Sequence, residues 1–486
     1  MRCRLALLIS LALSACSSGD DTGPPPIPVL PWGSFRHDLG NSAIGFSLAS
    51  NRGEVALVTA ELGGTTISTP AVDSNDNVYV GTEDGLVSVN RRGDIRWRAT
   101  ACEIDTGSIP IGAVLSSPTV TPGDDVLFGS EPTASGPGGV FAFRQRNNTV
   151  ECLWSFTPSG ARPDFGVRSS PQTLLDPRDR SMLSVYIGTG AGYLQALNGN
   201  TGTPRWNFPI SAPASGSITS TPAIDGTMVT YVTTPDGVLS AVDGSGRFRW
   251  QFPIGAPAPA VLQQSPAVAT TIYALGATAL FGINPDGTLK FQYSPPAAIP
   301  GSPAFLAQPI DVGPSAMTDI IIYLADTAGT LYGVRDGDGD IWQIQRCSLE
   351  PQRRCRMDSC LPDEGTCVNE RCTLSDQQCT RDSCIGDDAG ECLAQPAIVP
   401  ASDSPISVTG SPVGSSDGFL VIGTTDGQVC VRALDGTVPG DEADPANPWF
   451  DGCVELGDGL PVLSSPAIGP DGRIFVTTAT GLYVIE

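Results

Sequence analysis

Histidine and lysine are nearly absent: 486 residues contain one of each, His37 and Lys290. Catalysis through a histidine or lysine base therefore has almost no candidates. His37 stands beside Asp38 with no nucleophile in the surrounding sequence, which suits a structural role. The scattered serines offer no strand-to-helix nucleophile elbow of the hydrolase kind. Positive charge is scarce too: 27 Lys and Arg face 51 Asp and Glu, a formal net charge of −24. Such a surface repels nucleic-acid phosphate and gains nothing from simple adsorption to anionic lipid, so no nucleic-acid partner is expected. Its ordinary consequence is solubility.

What the chain has in abundance is turn chemistry. With 56 Gly, 43 Pro and only 16% charged residues, short Val/Ile/Tyr runs alternate with turn residues, the signature of many short strands. From residue 65 onward one unit recurs. It opens on a small polar pair and a proline: Ser68-Thr69-Pro70, Ser116-Ser117-Pro118, Ser169-Ser170-Pro171, Ser220-Thr221-Pro222, Gln264-Ser265-Pro266, Gly301-Ser302-Pro303, Gly410-Ser411-Pro412 and Ser464-Ser465-Pro466. The prolines are 37 to 54 residues apart, except for one gap of 109 that an insert explains. Residues 220–252 show the unit most clearly, with period-2 alternation broken at Asp-Gly and Ser-Gly turns. Four antiparallel strands per unit make a propeller blade, and repeats of this length bury their faces against neighbours. Trp97, Trp154, Trp206, Trp250, Phe291, Trp342 and Trp449 supply one fourth-strand aromatic per blade, read as packing between blades. The last unit ends at Glu486 after three strands, and the stretch 52–57 aligns with 92–97. Residues around 52–62 are therefore expected to supply the missing strand and remove the free edges. The fold class is all-β: an eight-bladed propeller of four-stranded antiparallel blades spanning 32–486, closed by an N-terminal strand.

The first residues carry a separate message. Arg2 and Arg4 precede an apolar run from Leu5 to Leu13, too short to span a bilayer, so 1–15 reads as a signal peptide. Leu13-Ser14-Ala15-Cys16 resembles the bacterial lipoprotein box, in which the cysteine is acylated and becomes the mature N-terminus. Cys16 is thus the expected lipid attachment, and several acyl chains at about 0.8 kcal/mol per buried CH₂ give a stable anchor. Ser17, where Asp would signal inner-membrane retention, favours the outer membrane, facing either the periplasm or the cell surface. Residues 16–31, rich in Ser, Asp and Pro, read as an anchored, extended tether.

The blade units resemble the quinoprotein-type (PQQ-like) repeat, whose third-to-fourth-strand pattern is roughly A-x-D-x-x-x-G-x-x-x-W. Ala196-Leu197-Asn198 through Gly202 to Trp206 fits it with Asn for Asp, and Ala241-Val242-Asp243 through Gly246 to Trp250 fits with one residue fewer. Residues 32–38, WGSFRHD, look like the approach strand of that superfamily. The resemblance implies two branches. One comprises dehydrogenases holding pyrroloquinoline quinone and calcium, commonly against a disulfide between adjacent cysteines. No two cysteines are adjacent in this chain, and no set of Glu, Asn and Asp calcium ligands stands out. The other branch is lipid-anchored, non-catalytic and protein-binding, like the propeller subunit of the outer-membrane barrel-assembly machinery, and the lipobox fits it.

Of 14 cysteines, Cys3 leaves with the signal peptide and Cys16 carries the anchor. Twelve remain, an even number in an oxidising compartment. Eight of them, Cys347, Cys355, Cys360, Cys367, Cys372, Cys379, Cys384 and Cys392, define an insert at 347–392 after the fourth strand of blade 6. Its polar sequence cannot build a core, so it reads as a disulfide-stapled module. Zinc is the other reading, though the module has neither a C-x-x-C pair nor a histidine. Cys430 and Cys453 fall on neighbouring strands of blade 7 and could cross-link them, which leaves Cys102 and Cys152 as the other pair.

The run Asp336-Gly337-Asp338-Gly339-Asp340 has the look of a calcium loop, but Ile341 and Cys347 stand where an EF-hand needs Gly and Glu, and other blades have hairpin turns at this place. The expectation is a binding scaffold with no catalytic residues, no metal and no cofactor, whose partners are envelope proteins and whose only membrane contact is the anchor. A quinone-dependent dehydrogenase with a degenerate site is the alternative.

Overall fold

The computed structural model describes residues 32–48, 53–60, 62–336, 410–433 and 452–486, apart from 106, 147–148, 159–165, 177–180, 211–216, 256–264, 277, 296, 300, 311–316 and 327–330; for 341–347 and strand pairs between 353 and 393 it describes backbone pairing only. Within these residues the chain forms eight four-stranded antiparallel blades. The first strands are two to seven residues long, and those of neighbouring blades lie against each other. The second and third strands are almost wholly buried, while fourth strands such as Pro204–Pro209 and Phe248–Pro253 alternate exposed and half-buried positions. That gradient is what a ring of radially stacked sheets requires.

The serine-proline openings are the hub of the ring. At seven seams the second hydroxyl of an opening accepts the backbone N–H of the preceding blade's opening. Thr69 donates to Ser117, Ser117 to Ser170, Ser170 to Thr221, Thr221 to Ser265, Ser265 to Ser302, Ser302 to Ser411 and Ser411 to Ser465, at 2.7 to 3.3 Å. The first hydroxyl serves its own blade: Ser116 accepts from the Gly129 N–H at 2.7 Å, and Ser220 from the Thr233 N–H at 3.1 Å. These groups are buried, so each N–H would otherwise be an unsatisfied donor in the core. A small hydroxyl residue reaches that N–H where a longer side chain would not fit.

The rim is held by the fourth-strand aromatics. The Trp154, Trp206 and Trp250 indoles donate to Gly199 O, Gly244 O and Pro285 O of the following blade at 2.9, 3.1 and 2.9 Å. Each ring covers a turn glycine there: Gly202, Gly246 and Gly287 have φ of +70°, +81° and +89°, and an added Cβ would sit 2.5 to 2.8 Å from the ring. The repeat's glycine is thus demanded twice, by backbone sign and by its neighbour's tryptophan. In blades 1, 3 and 4 a second-strand tyrosine backs the tryptophan, in Tyr79–Trp97, Tyr186–Trp206 and Tyr231–Trp250, all at 5.8 Å. Trp342 and Trp449 lie outside the residues whose side chains are described.

Blade 8 closes the ring as its three-strand sequence demands. Val55–Ala60 pairs antiparallel with Gly481–Ile485, from Val55↔Ile485 to Ala60↔Gly481, with a register shift between Val55 and Leu57. Glu54 and Glu486 exchange backbone hydrogen bonds at 3.0 and 2.9 Å. Beside this seam the buried Arg473 reaches Asp471 at 2.7 Å and Asp76 of blade 1 at 3.2 Å.

Candidate binding face

The segment from Trp32 to Gly45 fills one end of the axis. Its backbone visits the blades in turn. Trp32 exchanges hydrogen bonds with Val72 of blade 1 at 3.3 and 2.8 Å, and Gly33 O accepts from Val120 of blade 2. Asp38 O accepts the Gln172 amide of blade 3 at 2.9 Å. Leu39 O and Gly40 O each accept at 2.7 Å, from Ile224 and Val268 of blades 4 and 5. Ser42 O accepts from Phe305 of blade 6 at 3.1 Å and Ala43 O from Gly414 of blade 7 at 2.8 Å. At blade 8, Gly45 lies so close to Ile468 that a Cβ would fall 2.7 Å from that side chain. Arg36, His37, Asn41 and Ala43 all adopt positive φ, between 54° and 74°, a concentration of strained residues that only the surrounding ring can enforce.

Two polar side chains of this segment, Arg36 and Asn41, are buried. Asn41 Nδ2 donates to Pro266 O at 2.9 Å and to the Thr221 and Pro222 carbonyls at 3.3 Å. The fully buried Arg36 donates to Pro303 O and, through Nε, to Asn41 O at 3.2 Å, while its Nη1 has no hydrogen-bond partner. Burial pulls the Arg36 guanidinium down to about 9, against the upward pull of Asp38. His37 packs between the rings of Trp32 and Phe46, at 5.3 and 5.8 Å.

The opposite face carries the blade-to-blade connections and the turns between second and third strands. On it, between blades 1 and 2, lies a cleft of about 580 Å³ lined by Glu83, Asp84, Thr100, Gly112, Glu131 and Thr133 among others. Glu83 and Asp84 occupy the turn after Val78–Thr82 and face solvent. Glu131 is neutralised by Arg168, whose Nε and Nη2 reach its carboxylate at 2.8 and 3.0 Å. That pairing holds the Arg168 guanidinium above its ordinary value. Gly112 permits the connection to pass because a Cβ there would lie 2.4 Å from Glu131 O. The cleft therefore offers two free carboxylates and a wall of hydroxyls and carbonyls, a surface that accepts hydrogen bonds and positive charge.

Two disulfides are present among the described residues. Cys102 and Cys152 are bonded across a Cα separation of 5.3 Å, tying the hairpin Ala101–Ile104/Gly107–Pro110 to the fourth strand of blade 2. Cys430 and Cys453 are bonded at a Cα separation of 4.0 Å between the third and fourth strands of blade 7, where they are register partners. Cys16 and the eight insert cysteines lie outside the residues whose side chains are described. Of the acidic run at 336–340, Asp336 is described and is engaged elsewhere. Lys290 Nζ is 2.7 Å from its Oδ1 and the Tyr273 hydroxyl donates to Oδ2 at 2.7 Å, a clamp between blades 5 and 6. Among the described residues no group of three His, Cys, Asp or Glu is placed to hold a metal. At the end of the axis where the strained segment and its arginine are seated, the residues do not fit a planar quinone with a calcium ion.

Comparisons agree on the fold. A family model described as outer membrane protein assembly factor BamB matches residues 151–303. BamB from Moraxella catarrhalis superposes with a TM-score of 0.51 at 13% identity, covering 88% of this chain and 99% of that one. A quinohemoprotein alcohol dehydrogenase from Comamonas testosteroni gives 0.56 at 14% identity, covering 94% and 78%. In sequence, the serine/threonine-protein kinase AfsK of Streptomyces griseus is 31% identical over 230 residues, 46% of this chain; the match spans about a fifth of the kinase, 21% of its length. The ring has the quinoprotein-type β-propeller fold, and a fold by itself assigns no function.

Proposed function

From a quinoprotein-type propeller one end of whose axis is occupied by its own chain, we propose a non-catalytic envelope lipoprotein, anchored through Cys16 in the outer membrane, that presents a rigid ring to a protein partner. The observation that carries this reading is the axial segment: hydrogen bonds to seven blades hold Trp32 to Gly45 in place and close one end of the axis, which leaves recognition to the opposite face, where the cleft between blades 1 and 2 lies. Loops on a rigid scaffold are the usual seat of binding. Glu83 and Asp84 suit a partner bearing Lys or Arg side chains, whose charge complements theirs. The family model over 151–303 and the BamB superposition support the envelope role.

Two measurements test it. Adding pyrroloquinoline quinone and calcium to purified protein is expected to leave no retained cofactor absorbance and no dye reduction; retained cofactor with turnover overturns the scaffold reading in favour of a dehydrogenase, the reading that the superposed alcohol dehydrogenase supports. A photo-crosslinker at Thr133 in intact envelopes is expected to capture a defined partner whose yield falls when Glu83→Lys and Asp84→Lys are combined. An unchanged yield removes the cleft from the interface.

A further inference from the structure

The axial segment also fixes where the N-terminal arm leaves the ring. Trp32 bridges Val72 in antiparallel sense, while Ile44–Gly45 runs parallel to Val413–Ser415. First strands all run toward the turns that join them to second strands, so the chain enters the axis through that face and leaves through it. Beyond Gly45 this is visible directly: Leu48 N–H donates to the Asp417 carboxylate at 2.9 Å and Ser47 Oγ donates to it at 2.7 Å, and Asp417 sits in the first-to-second-strand turn of blade 7.

We propose that the ring stands with this face toward the bilayer and presents the opposite face, with the Glu83/Asp84 cleft, away from it. The inference rests on the anchoring of Cys16. Fifteen residues, 17–31, separate that cysteine from the point of entry; they span roughly 45 Å at about 3.1 Å per residue and at most roughly 55 Å fully extended. A compact chain of this size has a radius of gyration of roughly 23 Å, which puts the rim of a disc about 30 Å from its axis. Inverting the ring would require the arm to run from the axis to the rim and then along the height of the blades, about 20 Å of strand plus the turns at both ends. Once the turns are included, that path uses up the fully extended arm before the lipid is met. The orientation is thus set by where the arm leaves and how short it is, with no contribution from the charge of either face.

The test uses the full acylated protein on vesicles containing acceptor-labelled lipid. A donor dye is attached through p-azidophenylalanine either at Pro235, in a second-to-third-strand turn of blade 4, or at Ser245, in a third-to-fourth-strand turn of the same blade, both exposed. Energy transfer is expected to be severalfold stronger from position 245, and a long Gly/Ser insertion after Pro31 is expected to equalise the two. Equal transfer without the insertion, or stronger transfer from 235, overturns the orientation while leaving the anchor intact. A difference that persists with the insertion shows that the ring's own surface orients it, which overturns the short arm as the cause. The anchoring reading fails separately if wild type does not co-float with vesicles, or if Cys16→Ser floats as well as wild type, and the orientation falls with it.

Discussion

The backbone N–H of Ser117 donates to the Ser170 hydroxyl at 2.8 Å, across the seam between blades 2 and 3. Both residues are buried, so Ser170→Ala would leave that N–H without a partner, at a cost of about 1–3 kcal/mol. Ser170→Thr keeps the acceptor, as Thr221 does at the next seam, and is expected to retain most of the stability. Urea midpoints of the two variants check this. Equal loss in both would assign the effect to packing.

Gly202 makes a sharper case because two constraints coincide: a φ of +70° and the Trp154 ring 2.5 Å from the position of a Cβ. Gly202→Ala should lose about 1 kcal/mol from the backbone and about 1–3 kcal/mol more from overpacking. Gly226, where nothing lies within 4 Å of the added carbon, provides the control; Gly226→Ala is expected to stay within about 0.5 kcal/mol of wild type.

The disulfide between Cys102 and Cys152 closes a loop with a sequence separation of 50. A chain-entropy treatment of such a loop gives about 4 kcal/mol of stabilisation. Cys102 is wholly buried, so Cys102→Ala combined with Cys152→Ala is preferred over serine, which would bury an added hydroxyl. The double variant should unfold at markedly lower urea, and dithiothreitol should then have less effect on it than on wild type.

Much of this architecture is legible because each blade repeats one local code. The Ser-Pro openings, the turn glycines and the fourth-strand tryptophans recur at matched places, so period-2 alternation and spacing suffice to count blades and to foresee that Val55–Ala60 completes blade 8. The same repetition hides what is unique. Residues 32–45 carry no alternation, because their backbone groups pair with a different blade at nearly every step and not along one strand. An approach strand accounts for the entry at Trp32 but not for the circuit of the axis. Four non-glycine residues at positive φ cannot be anticipated from propensity, since the ring imposes them. The cleft is equally silent: Glu83 and Glu131 are distant in sequence and meet only because equivalent turns of adjacent blades stand side by side. The recurring Asp-Gly turns are the one available signal, and they read as hairpins.

Asp458 binds the connection before blade 8 to the second-to-third-strand turn of that blade. Its carboxylate accepts from Thr478, Thr480 and Tyr483 hydroxyls at 2.6, 2.7 and 2.8 Å and from the Leu460 N–H at 3.0 Å. Partial burial pushes its pKa upward, but these bonds to the charged form outweigh that and hold it below the ordinary 3.8. For a carboxylate with a depressed folded value, the folded state binds fewer protons than the unfolded one just under pH 3.8. The stabilisation is therefore fully present above that pH and is lost as pH falls through the lower, folded value. Asp458→Asn removes the titrating group while keeping one acceptor oxygen. The variant is expected to be less stable than wild type at neutral pH, and the gap should narrow as the medium is acidified below 3.8. Urea midpoints taken from pH 7 down to about 3 decide the matter; a gap that stays constant across that range would show that the carboxylate's charge contributes nothing to the seam.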